Sequence, residues 1–311
     1  MDPVTVRGTP FAMVLCTRPS KTKGIATRSE DGPITHQADI TPHGFSDQPR
    51  ARGTVHLSTK RTDVGTVLDR FRQTGSLKCL FPGRRGSALD AVVLNTAGGV
   101  TGGDQFDFSA QAAPGTTLTL TTQACERAYK AQPGEIGKIT NRLRIDAGAR
   151  INWLPQETIL FNGSALHRRL KVDLSKGASL LMVEPVVFGR PAMGEDVTDL
   201  HFRDRIEIRR EGVPLFIDAM ALTGNARDHL AKPFIAGGAG AMALVVLIAN
   251  NAETHLSPLQ TTLPATGGVS LLQEDVLVMR LLAEDSFALR HTLLPLLQRL
   301  NGAPLPRCWK I

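Results

Sequence analysis

The segment Leu94–Asp104, LNTAGGVTGGD, places four glycines (Gly98, Gly99, Gly102 and Gly103) within six positions and follows them with a carboxylate, Asp104. So dense a cluster does chemistry where backbone must wrap a phosphate, or architecture where two backbones must pass closely. A phosphate loop of the GxxxxGK[ST] type needs a lysine and a hydroxyl to reach phosphate and metal. Asp104 stands there instead, and its charge repels phosphate. The GxGxxG dinucleotide fingerprint fails in register and would have to open a helix, whereas DQFDFSA alternates like a strand. The segment reads as strand, glycine turn, strand. Asp104 is then either an Asx-type acceptor of backbone N–H groups or a lining group of a polar cavity.

The densest polar stretch is GRPAMGEDVTDLHFRDR, with Glu195, Asp196, Asp199, His201 and Asp204. Asp199 and His201 share one face if this is a strand, and oxygen plus imidazole ligands of this kind hold a divalent ion such as nickel weakly. A solvated loop is the plainer reading. No HExxH, HxH or CxxC spacing offers a tight metal cage. No GxSxG elbow is present, and neither Cys79 nor Cys125 has a histidine beside it in sequence. The four cysteines, Cys16, Cys79, Cys125 and Cys308, follow no framework spacing and read as reduced thiols of a cytoplasmic protein.

Composition narrows the classes further. The chain has 311 residues and a formal charge of +7, yet residues 1–61 hold nine Lys/Arg against five Asp/Glu, which accounts for more than half of it. The basic balance thus belongs largely to an extension. With two tryptophans and one tyrosine, the chain also lacks the aromatic platforms of single-strand nucleic-acid binders. The apolar run Phe11–Cys16 is too short for a membrane span.

The elements that would position these residues are mostly strands. RLRIDAGARINWLPQETILF from Arg142, RLKVDLSKGASLLMVEPVVF from Arg169 and RIEIRREGVPLFIDAMAL from Arg205 each alternate apolar and polar residues. Each then turns at a glycine (Gly148, Gly177, Gly212) and enters a more continuously apolar run. Phe106, Phe108 and Gly115 make an upstream copy. Period-2 alternation sends successive side chains to opposite faces of a strand. Strand pairs recurring about every 30 residues predict stacked units with a continuous core. The expected fold is mainly β, an irregular superhelix or solenoid-like stack with a few helices. Val64, Val67, Leu68 and Phe71 predict a short amphipathic helix ending at Gly75. SFALRHTLLPLLQRLNG predicts a terminal helix with Ser286 as N-cap, an apolar face including Leu297 and Leu300, and a stop at Gly302. Residues 1–50 show no sustained period and read as a flexible or loosely attached extension, with 51–311 as a single β-rich domain.

The order of AGGVTGGD, LTTQACERAYKA, WLPQETILF, GRPAMGE and PLPRCWKI along residues 50 to 311 resembles the UreD (UreH) family of urease accessory proteins. The resemblance implies a non-enzymatic role in urease maturation by a β-rich scaffold. Its implied partners are the urease apoprotein, a UreF-like protein and, through it, a UreG-like GTPase, with no nucleic acid and no membrane. It also implies no tightly bound cofactor, with nickel in transit through an internal water-filled passage. On that reading Asp104, Glu157 and Glu195, each beside a turn or strand end, are expected to line the passage, and Leu297 and Leu300 to meet the UreF-like partner. The rival readings are a β-solenoid hydrolase or lyase of an acidic saccharide, requiring two carboxylates in a cleft, and a nucleic-acid binder with steep salt dependence.

Overall fold

The computed structural model describes residues 48–310. Residues 1–47 of the extension, Cys16 among them, fall outside that range. From Ala51 onward the chain forms one compact unit. Strands account for 54% of the structure and helices for 14%, so the alternation seen in the sequence is realised as sheet.

In chain order the strands open with β1 (Arg52–Thr62), β2 (Gly65–Gly75), β3 (Leu77–Arg85) and β4 (Ala88–Asn95). There follow β5 (Gln105–Ala112), β6 (Thr117–Thr122), β7 (Glu126–Ala128), β8 (Gly137–Ile145), β9 (Arg150–Leu154) and β10 (Thr158–Leu160). Next come β11 (Ser164–Leu174), β12 (Ser179–Phe188), β13 (Leu200–Arg210) and β14 (Val213–Gly224). The remainder is α1 (Ala226–Leu230), β15 (Ala241–Ile248), α2 (Leu256–Thr262), β16 (Gly267–Gln273), β17 (Val276–Ala283) and α3 (Ser286–Asn301).

Between β4 and β13 the chain winds through stacked coils. The coils pair β4 with β5, β6 with β8, β9 with β11, and β12 with β13. Successive coils join in parallel on both sides, β4-β6-β9-β12 in one sheet and β5-β8-β11-β13 in the other. The full sheets run β14-β13-β11-β8-β5-β1-β2 and β16-β17-β15-β12-β9-β6-β4-β3. The repeat glycines close the tight turns between sheets: Gly115, Gly148 and Gly177 sit at φ 67°, 66° and 74°, where a Cβ is disfavoured. The third repeat differs from the expectation. Gly212 closes an antiparallel β13–β14 hairpin that ends the first sheet instead of starting another coil.

Inward-facing residues of both sheets form one core, including Val55, Phe106, Phe108, Leu143, Leu170 and Phe202. A second core lies on the far side of the β12-β15-β17 surface, where α3 and Trp309 pack on Leu181, Val183, Leu247 and Met279. Two expectations are corrected here. Val64–Phe71 is no helix: Gly65–Gly75 is β2, laddered antiparallel on β1, with Phe71 edge-on to Phe81 at 5.1 Å. Its helical spacing is incidental, and tertiary pairing outweighs so short a pattern. The terminal helix exists and stops at Gly302 (φ 66°), but Asp285 caps it, accepting from the Ala288 N–H at 2.8 Å. Leu297 and Leu300 face the sheet and are 0% and 3% exposed, so they hold the helix down and offer no surface to a partner.

The glycine corner opens the coil stack. Gly98 and Gly103 take φ of 82° and 83°. Gly99 and Gly102 serve close approach: a Cβ on Gly99 would lie 2.3 Å from Tyr129 Cε2 and 2.6 Å from the Arg127 carbonyl, and one on Gly102 2.6 Å from Glu135 Cβ. The gap they leave lets Val100 donate to the Arg127 carbonyl and accept from the Tyr129 N–H, both at 2.8 Å.

Two outcomes are expected. Gly98→Ala, in open space, should cost about 1 kcal/mol for its left-handed backbone. Gly99→Ala must also displace the next coil and should cost about 2–3 kcal/mol or more; equal urea midpoints for the two variants would show that the corner is not tight. Leu297→Asp should abolish cooperative folding by burying a charge, and a folded Leu297→Asp protein with a normal melting temperature would contradict the packing of α3.

Candidate functional site

The corner segments that cross from one sheet to the other stack like the coils themselves. Val100 bridges Ala128, β7 pairs in parallel with β10, and β10 pairs in parallel with β12. The Gly163 N–H donates to the Asp199 carbonyl at 2.7 Å. Residues 96–104, 123–136, 155–163 and 189–199 therefore line up along one side of the stack. All three sequence-derived carboxylates, Asp104, Glu157 and Glu195, lie in these segments.

Each of the three is already engaged. Asp104 is buried, and its two oxygens accept from the Ala51 N–H (2.7 Å) and the Thr101 N–H (2.8 Å). That is the Asx-type role, pinning the corner to the start of β1. Glu157 accepts from Arg290 of α3 at 2.9 and 3.1 Å; Arg290 also donates to Gln156 at 2.6 Å and to the Trp309 carbonyl at 3.2 Å. Glu195 accepts from Arg190 Nε at 2.9 Å and from the Asn162 N–H at 3.2 Å. The Arg190 hydrogen bond holds its carboxyl below the usual range. The polar stretch does not converge either: Asp196 pairs with Arg227 and His201 with His167. Among the described residues, no three His, Cys, Asp or Glu side chains gather to hold a metal.

A different set of polar groups meets inside. Between the sheets lies a cavity of about 70 Å³, lined by Glu126, Asn141, Gln156, Thr158, Arg168 and Glu184 among apolar side chains such as Phe108 and Trp153. That is room for a few waters or a hydrated ion and far below the roughly 300 Å³ at which small-molecule sites begin. Arg168 stands at an inward position of β11. It donates through Nε and Nη2 to both oxygens of Asp204 (3.0 and 2.5 Å) and through Nη1 to Thr158 (3.0 Å). Nη1 also lies 2.7 Å from Glu184 Oε2, whose Oε1 accepts from Trp153 Nε1 at 2.6 Å. One guanidinium thus serves two carboxylates. Burial pushes the Glu184 carboxyl up, against the pull of Arg168 and with the push of Asp204.

Glu126, half-buried on β7, is the other carboxylate that lines the cavity. Burial raises its pKa to about 7, opposed by the hydrogen bond from Asn95 and assisted by the charge of Asp104. Asn95 Nδ2 bridges Glu126 (3.1 Å) and the Gly99 carbonyl (2.7 Å), tying the cavity to the glycine corner. Gln156 Nε2 is buried with no partner in the protein, as suits a group facing a small hydrated space. The sequence reading missed Glu126, Arg168 and Glu184. The signal that could have found the last two was charge at inward strand positions: Arg168 between Leu166 and Leu170, and Glu184 inside LLMVEPVVF.

The free thiols include Cys79, which burial pushes up to about 12, so it is inert as a nucleophile or ligand. Among the described residues, no helix is long and apolar enough to cross a membrane.

Residues 51–310 match the family model described as UreD urease accessory protein. A protein of Ruegeria pomeroyi named urease accessory protein UreD is 60% identical over 257 residues, covering 83% of this chain and all of the relative. Proteins of the same name from Roseobacter denitrificans and Rhizobium etli are 52% and 42% identical, covering 85% and 84% of this chain and 97% and 96% of theirs. The motifs that carried the resemblance lie within the matched span, and the chain belongs to the UreD family of urease accessory proteins.

Proposed function

We propose that this chain is a non-enzymatic scaffold for urease maturation, which holds the urease apoprotein together with a UreF-like protein and, through it, a UreG-like GTPase while nickel is inserted. The observation that carries the nickel part is the charge of the internal cavity. Glu126 and Glu184 line it with one cation, Arg168, which Asp204 also pairs, so the interior favours a visiting cation. Carboxylate and amide oxygens with water bind a borderline dication weakly, which suits cargo that must leave. A saccharide has no room in 70 Å³.

In this reading the nickel path runs past Glu126 and Glu184, while Asp104, Glu157 and Glu195 keep the corner segments in place around it. Nickel competes with the proton at Glu126: the ion enters when the carboxyl ionises and is released as the proton returns. The protein works in the cytoplasm, where urease is assembled.

The test of the whole reading is a urease operon lacking only this gene. Recovered urease should be nickel-poor and inactive; full activity would overturn the proposal. For the path, Glu126→Gln should lower the nickel content of recovered urease while the accessory complex still assembles. Arg168→Met, which strands two buried carboxylates, should cost about 3–5 kcal/mol and lose the complex as well. If Glu126→Gln leaves nickel loading intact, the cavity is only a packing defect.

The same residue gives a pH signature. Its folded-state pKa of about 7 stands above the 4.5 of an unperturbed glutamate, so the unfolded chain gives up this proton more readily. Stability from this group is full below pH 4.5, falls as pH climbs to about 7, and is flat beyond. Glu126→Gln should remove that slope and be the more stable form at pH 8, by on the order of 2–3 kcal/mol. Parallel denaturation midpoints for both proteins from pH 5 to pH 8 would contradict the burial of this carboxylate.

A further inference from the structure

The outward face of the first sheet is charged in a pattern that the maturation reading does not use. Because β5, β8, β11 and β13 pair in parallel without a register shift, their outward residues form straight rows across the sheet. One row reads Arg203, His167, Lys138, Gln105; another reads Glu207, Lys171, Arg142, Ser109. Over these four strands the outward positions hold eight lysines and arginines against three carboxylates.

The carboxylates are spent locally. Glu207 is surrounded by Arg169, Arg205 and Arg209, and Asp107 pairs with Arg142 at 3.1 Å. Lys138, Lys171 and Arg203 have no carboxylate partner among the described residues. Around Lys138 and Arg203 stands the His167–His201 pair, Nε2 to Nε2 at 3.0 Å. Burial, and then the charges of His201, Arg203 and Lys138, hold the His167 pKa down. Arg203 and Lys138, on either side of His167 in one row, repel each other in the free protein, and an acidic ligand relieves that repulsion.

Beside the rows the face turns concave. A groove of about 660 Å³ runs between the β1–β2 hairpin and β5–β8, with Arg70, Arg72, Arg142 and Arg144 set against Asp69 and Asp173. Its floor is sheet rather than loop, so it is already formed before anything binds. Phe71 and His56 are the aromatic rings of its lining, and both tryptophans are buried in the cores. Nucleic acid would find phosphate-facing carboxylates and no stacking platform.

We propose that this outer sheet face and its groove are a docking surface for an acidic segment of a protein partner in the maturation complex. A protein segment of mixed but mainly negative charge can match both the free cations and the embedded carboxylates, which a uniform polyanion cannot. The site is distinct from the internal cavity. The proposal rests on the maturation reading only for which proteins to test.

The experiment uses the full tagged chain with urease apoprotein and the UreF-like protein, each purified. Retention is measured at low salt and at roughly 1 M, where charges more than about 3 Å apart are screened. Two double variants are compared with wild type: Lys138→Glu with Arg203→Glu, and Arg142→Glu with Arg144→Glu. Retention of one partner should fall by at least about tenfold in each variant and by a similar factor for wild type in high salt, with melting temperatures unchanged. If both partners are held equally by wild type and variants, the face is merely solvated and the proposal is overturned. Tighter retention of a mixed-sequence DNA duplex than of either protein, lost in the same variants, would also overturn it. Should wild type pass this test while gene loss leaves urease active, the docking surface stands and the maturation reading falls.

Discussion

A guanidinium buried between two sheets is tolerated only if every side of it meets an acceptor, since an unpaired buried charge costs several kcal/mol. Arg168 meets that condition through groups drawn from four coil segments: its own strand β11, Asp204 on β13, Glu184 on β12 and Thr158 on β10. Trp153 on β9 completes Glu184. The bonds therefore fix how far each coil is displaced relative to the next, on both sheets at once. Apolar side chains such as Leu166, Leu170, Phe202 and Ile206 fill the space around them, but a slip of one residue would cost those side chains little and Arg168 a great deal. Register in this solenoid is specified by charge as well as by the hydrophobic pattern.

The same constraint creates the cavity. Polar heads that must hold one another at hydrogen-bond distance cannot close-pack like methyl groups, and apolar Phe108 and Leu120 cannot fill the space left between them. Glu126 enters this space from the corner segment, where Asn95 connects it to the glycine turn. The glycine corner and the polar interior are thus one device. Close approach at Gly99 brings β7 against the corner, and β7 carries Glu126 at its first residue.

The coil strands of the first sheet were legible in the sequence because each is buried on one face, which leaves period 2; β9 and β12, buried on both faces, show as continuous apolar runs after the turn glycines. The corner was legible too: Gly98 and Gly103 for conformation, Gly99 and Gly102 for proximity. The edges were less so. In β2 the exposed run from Asp69 to Arg72 carries no alternation, and Val64, Val67, Leu68 and Phe71 imitate a helix because nothing buries one face of the strand fully. The site was the least legible part. Asp104, Glu157 and Glu195 do fall in the stacked corners, but their partners (the backbone N–H groups of Ala51 and Thr101, then Arg290 and Arg190) could not be read from spacing. Arg290 is 133 residues from Glu157 along the chain. Leu297 and Leu300 show the converse error: an apolar helical face announces burial, and only the fold says that the cover is the protein's own second sheet.

Strand alternation also sorts charge by side. On β11 the inward Arg168 lies between outward His167 and Arg169, and on β13 the inward Asp204 lies between outward Arg203 and Arg205. The sheet therefore presents mainly cations to solvent and turns Arg168 and Asp204 inward as a pair. Outer charges are screened over about 8–10 Å by ordinary salt, while the inner ones act through a medium of low polarisability and are screened far less. On the reading proposed above, a dication approaching the outer face would be repelled weakly, and one inside would be held weakly by carboxylate and amide oxygens. On that reading a cation would enter at the ends of the coils or along the corner segments, where Glu126 and Asp104 stand close enough to influence each other. An acidic partner on the outer face would leave Arg168 and Asp204 untouched within, so on the two proposals docking and ion handling operate on opposite sides of the first sheet without competing.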